Sequence, residues 1–244
     1  MAIRALLQPP NSLAKGEIQM SWFLNFYRSA IGKKALMALT GIILFGFVLV
    51  HMIGNLKLYM GAEAINHYGE FLRHVGGPVI PPYFALWIAR IVLLGAVLLH
   101  ILASWQLTQM NRKARPIDYG RRDYTAASYA SRTMRWGGIL ILLFVIYHIL
   151  HFTTGDVHGN FIYGDVYHNM VTGFSVWWVS LVYIVANIAL GFHLYHGLWS
   201  LFQSLGWNHK RFNSWRRNFA TAFALIVTIG NISFPVAVMT GLVK

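Results

Sequence analysis

The stretch Phe45–Tyr59, FGFVLVHMIGNLKLY, places one histidine, His51, inside an otherwise apolar run. An imidazole has two ring nitrogens, and in hydrocarbon each needs a partner that is not water. What that partner is depends on whether the run crosses a membrane. It also depends on how many other histidines sit at a comparable depth.

The run is one of five. Ala35–Leu58, Tyr83–Leu107, Met134–Phe152, Val176–Phe202 and Phe219–Val243 are apolar stretches, each near the ~20 residues a helix needs to cross a bilayer. The composition agrees. Of 244 residues, 57% are hydrophobic and only 11% charged, about half the charged share of a soluble domain. The expected fold is therefore all-α: a polytopic membrane protein with five transmembrane helices, the first four forming a bundle around the histidines. Residues 1–32 read as a cytoplasmic N-terminal arm and 33–244 as the five-helix transmembrane domain. The N-terminal stretch MAIRALLQPPNSLAKGEIQ has few charges and no apolar core of its own, so no signal peptide is expected.

Charge placement gives the orientation. Five Lys/Arg precede the first span, seven lie in the second connection and four in the fourth, against two, none and one on the opposite side. The positive-inside rule then puts the N-terminus in the cytoplasm and the C-terminus outside. Topology accounts for the +13 net charge without invoking nucleic acid. Tryptophans near the span ends, such as Trp87, Trp136 and Trp177, fit interfacial belts. With no cysteine, the chain can hold no iron–sulfur cluster or thiolate zinc of its own. All seven acidic residues lie in the tail or the connections, so a carboxylate proton relay among the spans is not expected.

Six of the eleven histidines fall within spans: His51, His100, His148, His151, His193 and His196. A single such residue is explained by a hydrogen bond to a neighbouring helix. Depth changes that reading. At about 1.5 Å per residue from the span midpoints, His51 and His148 lie ~8 Å toward the outside, and His100 and His193 ~6–8 Å toward the cytoplasm. Four helices thus supply two pairs, one in each half of the bilayer. A pair of neutral imidazoles on facing helices is what a low-spin b-type haem requires, one nitrogen on each face of the iron. Spacing alone does not choose between His148 and His151, or between His193 and His196, since each pair is three apart on one helix face.

Several stretches carry a resemblance: FVLVHMIGNLKLYMGAEAINHYGEFL (Phe47–Leu72), LLHILASWQ (Leu98–Gln106), LFVIYHILHF (Leu143–Phe152) and LGFHLYHGLWSLFQSLGW (Leu190–Trp207). Together with IGKKALMALTG, they resemble the di-haem cytochrome b subunit of succinate:quinone oxidoreductases, in the type with a single five-span anchor chain. The resemblance runs from about Ser29 onward. It implies His51 and His148 as ligands of an outer haem, and His100 and His193 as ligands of an inner one. That would make the four histidines the metal ligands and leave other roles for His151 and His196. It further implies an iron–sulfur subunit and a flavoprotein subunit as partners, with the succinate site in another subunit. The expected substrate is a quinone, menaquinone being suggested by the single-chain type, and the expected location is the inner membrane of a prokaryote. The basic residues of Arg112–Arg135 would dock the iron–sulfur subunit, or serve only as topology determinants, and the two roles are compatible.

Other positions have two readings each. Apart from Lys57 and Arg135 at the very ends of their runs, Arg90 is the one formal charge inside a span, and it would pair with a haem propionate or a quinone carbonyl, or else snorkel to the interface. Lys33, Lys34, Arg132 and Arg135 are either inner-haem propionate partners or interface anchors. Glu63, His67, Glu70, Arg73 and His74 offer quinone proton chemistry, or a solvated amphipathic loop helix. Asp156, His158, Asp165 and His168 have the residue types of a metal site but no specific spacing. Gly41, Gly46 and Gly54 permit close approach of a ring or helix, and Pro235 should kink the fifth span. The competing functions are the cytochrome b subunit of a membrane hydrogenase or formate dehydrogenase, and a haem-free transporter or structural anchor.

Overall fold

The computed structural model describes residue 22 and residues 24–114, 129–207 and 209–244, with backbone alone at 129–132 and 210. Most of the N-terminal arm and the centre of the second connection, including Arg115, Arg121 and Arg122, lie outside the described residues. The elements are α1 (Ala30–Asn55), a 3₁₀ turn (Leu56–Met60), α2 (Ala62–Arg73), α3 (Phe84–Lys113), α4 (Tyr129–Phe152), α5 (Val166–Ser175), α6 (Trp177–Ser204) and α7 (Asn213–Met239). Five of them, α1, α3, α4, α6 and α7, are long and apolar enough to cross a membrane. The chain is an all-helical, multi-pass membrane protein.

Helix boundaries follow local chemistry. Ser29 caps α1, its Oγ accepting from the Gly32 amide at 3.0 Å, which satisfies one of the orphan N–H groups of the first turn. The helix therefore starts at Ala30, three residues before the domain boundary drawn from sequence. α3 runs six residues past Leu107, because Thr108–Lys113 keep helical backbone after the apolar stretch has ended. Pro235 sits inside α7 without ending it; the helix continues to Met239. The Pro235 ring is fully buried.

Within the bilayer helices associate by packing and hydrogen bonds rather than by escape from water. The closest pairs are α6 with α7, α1 with α3, and α4 with α6. At α6–α7 the backbones meet through Gly191, where an added Cβ would overlap the Thr228 side chain. Leu194 and Leu198 of α6 interlock with Ala220, Phe223, Ala224 and Val227 of α7. α1 pairs with α3, and α4 with α6, leaving the histidine-bearing helices to face one another across the interhelical space.

At one end of the bundle the two short helices form a cover. Gly61, with φ of +95°, supplies the left-handed turn that folds α2 back after the 3₁₀ segment. Leu58 and Ile65 are then buried against Met170 and Phe174 of α5. A polar clasp fixes the two helices together. Asp165 caps α5 by accepting from the His168 amide at 3.0 Å. The same carboxylate oxygen accepts from Asn66 Nδ2 of α2 at 2.9 Å, and Asn66 Oδ1 accepts from the Tyr167 amide at 3.0 Å. The His168 N–H, and after it the Asn66 amide, hold the Asp165 carboxyl below its usual range.

Because this pKa is lowered on folding, the clasp is at full strength above about pH 4 and weakens as pH falls through the depressed folded value. Asp165→Ala is expected to cost about 1 kcal/mol, as the loss of a helix N-cap does, whereas Asp165→Asn keeps a capping side chain and costs less. Thermal unfolding of the detergent-solubilised protein at neutral pH measures both. Equal losses in the two variants would mean that the charge, not the cap, holds the clasp.

Candidate functional site

Four of the span histidines assemble into two pairs. His51 of α1 and His148 of α4 have ring centres 5.8 Å apart, with planes at 88°. His100 of α3 and His193 of α6 have ring centres 6.4 Å apart, at 57°. The first span thus pairs with the third, and the second with the fourth, as their depths predict. Two imidazoles on opposite faces of one metal, each at the ~2 Å typical of an imidazole–metal bond, place their ring centres about 6 Å apart. Both pairs have that separation.

The surroundings fit a large flat ligand. A Cβ built on Gly41 of α1 comes 3.7 Å from His100 Cε1, and one on Gly138 of α4 comes 3.8 Å from His193 Cε1. Gly46 of α1 faces open space. Gly54, by contrast, is occupied by the Tyr68 ring of α2 and serves helix packing. Beside His193, Thr133, Met134 and Gly137 of α4 and Val185, Ile188 and Ala189 of α6 line a cavity of about 230 Å³. His193 Nδ1 is buried without a hydrogen-bond partner, which costs free energy. The histidine pairs and their ring separations fit a haem held between two imidazoles.

The remaining ring nitrogens differ from ligand to ligand. His100 Nδ1 lies 3.1 Å from Thr40 Oγ1. That hydroxyl donates its own proton to the Leu36 carbonyl at 2.8 Å, so it accepts from the imidazole and leaves Nε2 with a free lone pair. His148 Nδ1 lies 3.3 Å from the Tyr183 hydroxyl. His51 Nε2 is 3.2 Å from the Asn55 amide of its own helix, and Phe47 stacks on its ring.

His151, one turn beyond His148, faces elsewhere. It is 2% exposed, stacks on Tyr147 and on His158 from the third connection, and places Nδ1 3.1 Å from the Tyr183 hydroxyl. His158 in turn donates from Nε2 to the Asn169 carbonyl at 2.9 Å. The third connection therefore builds a packed aromatic plug rather than a metal site. Asp165 caps a helix and His168 approaches the Asn160 carbonyl. No group of three or more metal-ligating side chains occurs among the described residues.

The other candidates spread out. Arg90 is exposed on α3, with its guanidinium 5.0 Å over the ring of Trp87 on the same helix. Lys33 is buried, donates to the Tyr27 carbonyl at 3.1 Å and lies over the Tyr27 ring; Lys34 and Arg135 are exposed, and the Arg132 side chain is outside the described atoms. Glu63, His67 and Glu70 lie on exposed positions of α2, which is the solvated amphipathic loop helix. Arg73 stacks over Tyr163, and His74 Nδ1 approaches the Glu70 carbonyl. Sequence reasoning missed Thr40, Tyr183 and Asn66. Span hydroxyls are too common to single out, and the tyrosine and asparagine partners lie 35 and 99 residues away.

Fold and site together define a helical membrane protein with two stacked bis-histidine positions between its first four spans. Residues 108–232, about half the chain, match the family of the succinate dehydrogenase/fumarate reductase transmembrane subunit, and the chain belongs to that family. The matched interval contains His148 and His193; His51 and His100 precede it. No curated protein and no solved structure matches the chain.

The aromatic plug should tolerate little. A Cβ on Gly173 would come 2.8 Å from His151 Cε1 and 3.1 Å from His158 Nε2. Gly173→Val is expected to cost about 1–3 kcal/mol by overpacking, read as a lowered melting temperature. An unchanged melting temperature would mean that the plug can shift freely.

Proposed function

We propose that this chain is the di-haem cytochrome b anchor of a succinate:quinone oxidoreductase, carrying electrons from an iron–sulfur subunit to a quinone. The observation that carries the reading is the ring pairing of His51 with His148 and of His100 with His193, in a chain of the succinate dehydrogenase/fumarate reductase anchor family. A flavoprotein subunit would hold the succinate site, consistent with a chain that has no cysteine for clusters. The excess of Lys/Arg before the first span and in the second and fourth connections supports a cytoplasmic N-terminus and an external C-terminus; the resemblance to the single-chain anchors implies a prokaryotic inner membrane. Menaquinone is the quinone that the single-chain type favours.

Bound haem supplies one-electron chemistry at a potential set by its ligands and their surroundings. The chain's part is to hold and to insulate. α1 and α4 present His51 and His148 in one half of the membrane; α3 and α6 present His100 and His193 in the other. Held by His51 with His148 and by His100 with His193, each haem would supply electron transfer rather than oxygen binding. The spans contain no Asp or Glu, so the second ring nitrogens of these histidines have only hydroxyls, amides and backbone carbonyls of the spans as partners. Arg90 is proposed as the partner of an outer-haem propionate or of a quinone carbonyl, a role that requires its guanidinium to leave the Trp87 ring. Lys57, Glu63 and Glu70 lie at the same end as the His51–His148 pair, where proton exchange with a quinone would occur.

The test is a reduced-minus-oxidised optical spectrum with haem counted per polypeptide. Two b-type haems are expected. His51→Ala or His148→Ala should remove or convert to high spin one of them, and His100→Ala or His193→Ala the other. A preparation without haem would return the chain to a plain anchor or transporter, and a ligand set including His151 or His196 would revise the pairing.

A further inference from the structure

In each pair one imidazole is held by a hydroxyl from a neighbouring helix and the other is not. His100 on α3 is held by Thr40 of α1, at 3.1 Å. His148 on α4 is held by Tyr183 of α6, at 3.3 Å. Their opposite numbers lack such a contact: His193 Nδ1 has no hydrogen-bond partner, and His51 is met by Asn55 on its Nε2 instead. Both hydroxyl residues are themselves buried, Thr40 at 3% and Tyr183 at 5% exposure. Each comes from the helix most closely packed against the one that carries the histidine, so neither is a chance surface contact.

We propose that Thr40 and Tyr183 are positioning residues that fix the tautomer and donor strength of His100 and His148, and so set the two haem potentials separately. The inference rests on the haem reading above. The direction of each hydrogen bond follows from chemistry. At His100 and His148 the hydroxyl meets Nδ1, which leaves Nε2 for iron; the proton would then sit on Nδ1 and be given to an acceptor. Thr40 is such an acceptor, because its own proton goes to the Leu36 carbonyl. Tyr183 qualifies if its proton goes to His151 Nδ1, 3.1 Å away. The polarised order His148 Nδ1–H to Tyr183 O–H to His151 Nδ1 results. This gives His151 a role: it orients the phenol whose oxygen faces the ligand. The two relays differ in kind. One ends on a helix carbonyl and the other on a second imidazole, so the two irons are not chemically equivalent.

A hydrogen bond that draws on Nδ1–H makes the imidazole a stronger donor and favours oxidised iron. Its removal should therefore move the potential upward. In the purified native complex, potentiometric titration of Tyr183→Phe is expected to retain two haems and to shift only the one lost in His51→Ala, to a more positive value. Thr40→Val should shift only the haem lost in His193→Ala, and Thr40→Ser should restore it. His151→Phe keeps a ring in the stack but offers no acceptor; it should move the same haem as Tyr183→Phe, and by less. Unmoved potentials in variants that keep both haems would overturn the inference and leave the haem reading intact. Shifts of both haems in every variant would also overturn it, since general loosening of the bundle would explain them. A wild-type complex without haem in this chain would sink both.

Discussion

A ring nitrogen at membrane depth has no water to fall back on, and the arrangement of this bundle depends on that constraint. Backbone groups solve the same problem by forming helices, which gives the five spans. Side chains must solve it pairwise. Of the six span histidines, His100 and His148 satisfy one nitrogen through a buried hydroxyl. His151 is committed to Tyr183 and to stacking with His158. His193 keeps a buried nitrogen without a partner. Ring pairing, not hydrogen bonding, separates His151 from the ligand candidates, since His148 and His151 meet the same Tyr183 hydroxyl. His151 stacks on Tyr147 and His158, whereas His51 and His148, and His100 and His193, face one another.

The two short helices help to hold the bundle that carries these pairs. α6 and α7 form the closely packed side, with glycine letting the backbones meet and with Leu and Phe side chains interlocked. α3 and α4 are the least buried of the spans. Their ends are tied down through the connections. The 3₁₀ turn and α2 pack on α5, and Asn66 and Asp165 sew these together. Tyr59 reaches α7 by donating to Ser233 at 2.7 Å. At the opposite end the buried Arg216 donates to the Trp207 carbonyl at 2.6 Å and bonds Asn213, closing the turn between α6 and α7. Firm ends and a packed flank hold a bundle in which α1 packs closely on α3 and α4 on α6, rather than α1 on α4 or α3 on α6.

Much of this is legible in the sequence, for physical reasons that differ element by element. The spans show because hydrocarbon tolerates little else, and their histidines show because an ionisable group is conspicuous there. Depth along a helix is nearly linear in residue number, so counting residues from the span midpoints sorts the histidines into two layers. The outer limits of α1 and α3 are not legible from apolarity: Ser29 and Thr108–Lys113 extend helix by capping and by helical propensity into polar surroundings. α5 escapes the same reading, although Asp165 before VYHN is an N-cap signal, since ten residues in a polar connection give no span-length pattern. The tie between His148 and His151 needs the resemblance, because spacing on one helix face cannot show which ring turns toward α1 and which toward His158.

The pairing of helices has a consequence for biogenesis. His51 and His100 enter the membrane on the first hairpin; their counterparts, His148 and His193, arrive on later spans. Neither pair is made within one hairpin, so a nascent chain emerging from the ribosome holds only half-sites until the third and fourth spans have been released. One pair is completed when α4 inserts and the second only when α6 does. The order of translation is therefore the order in which the two ring pairs are completed, His51 with His148 before His100 with His193.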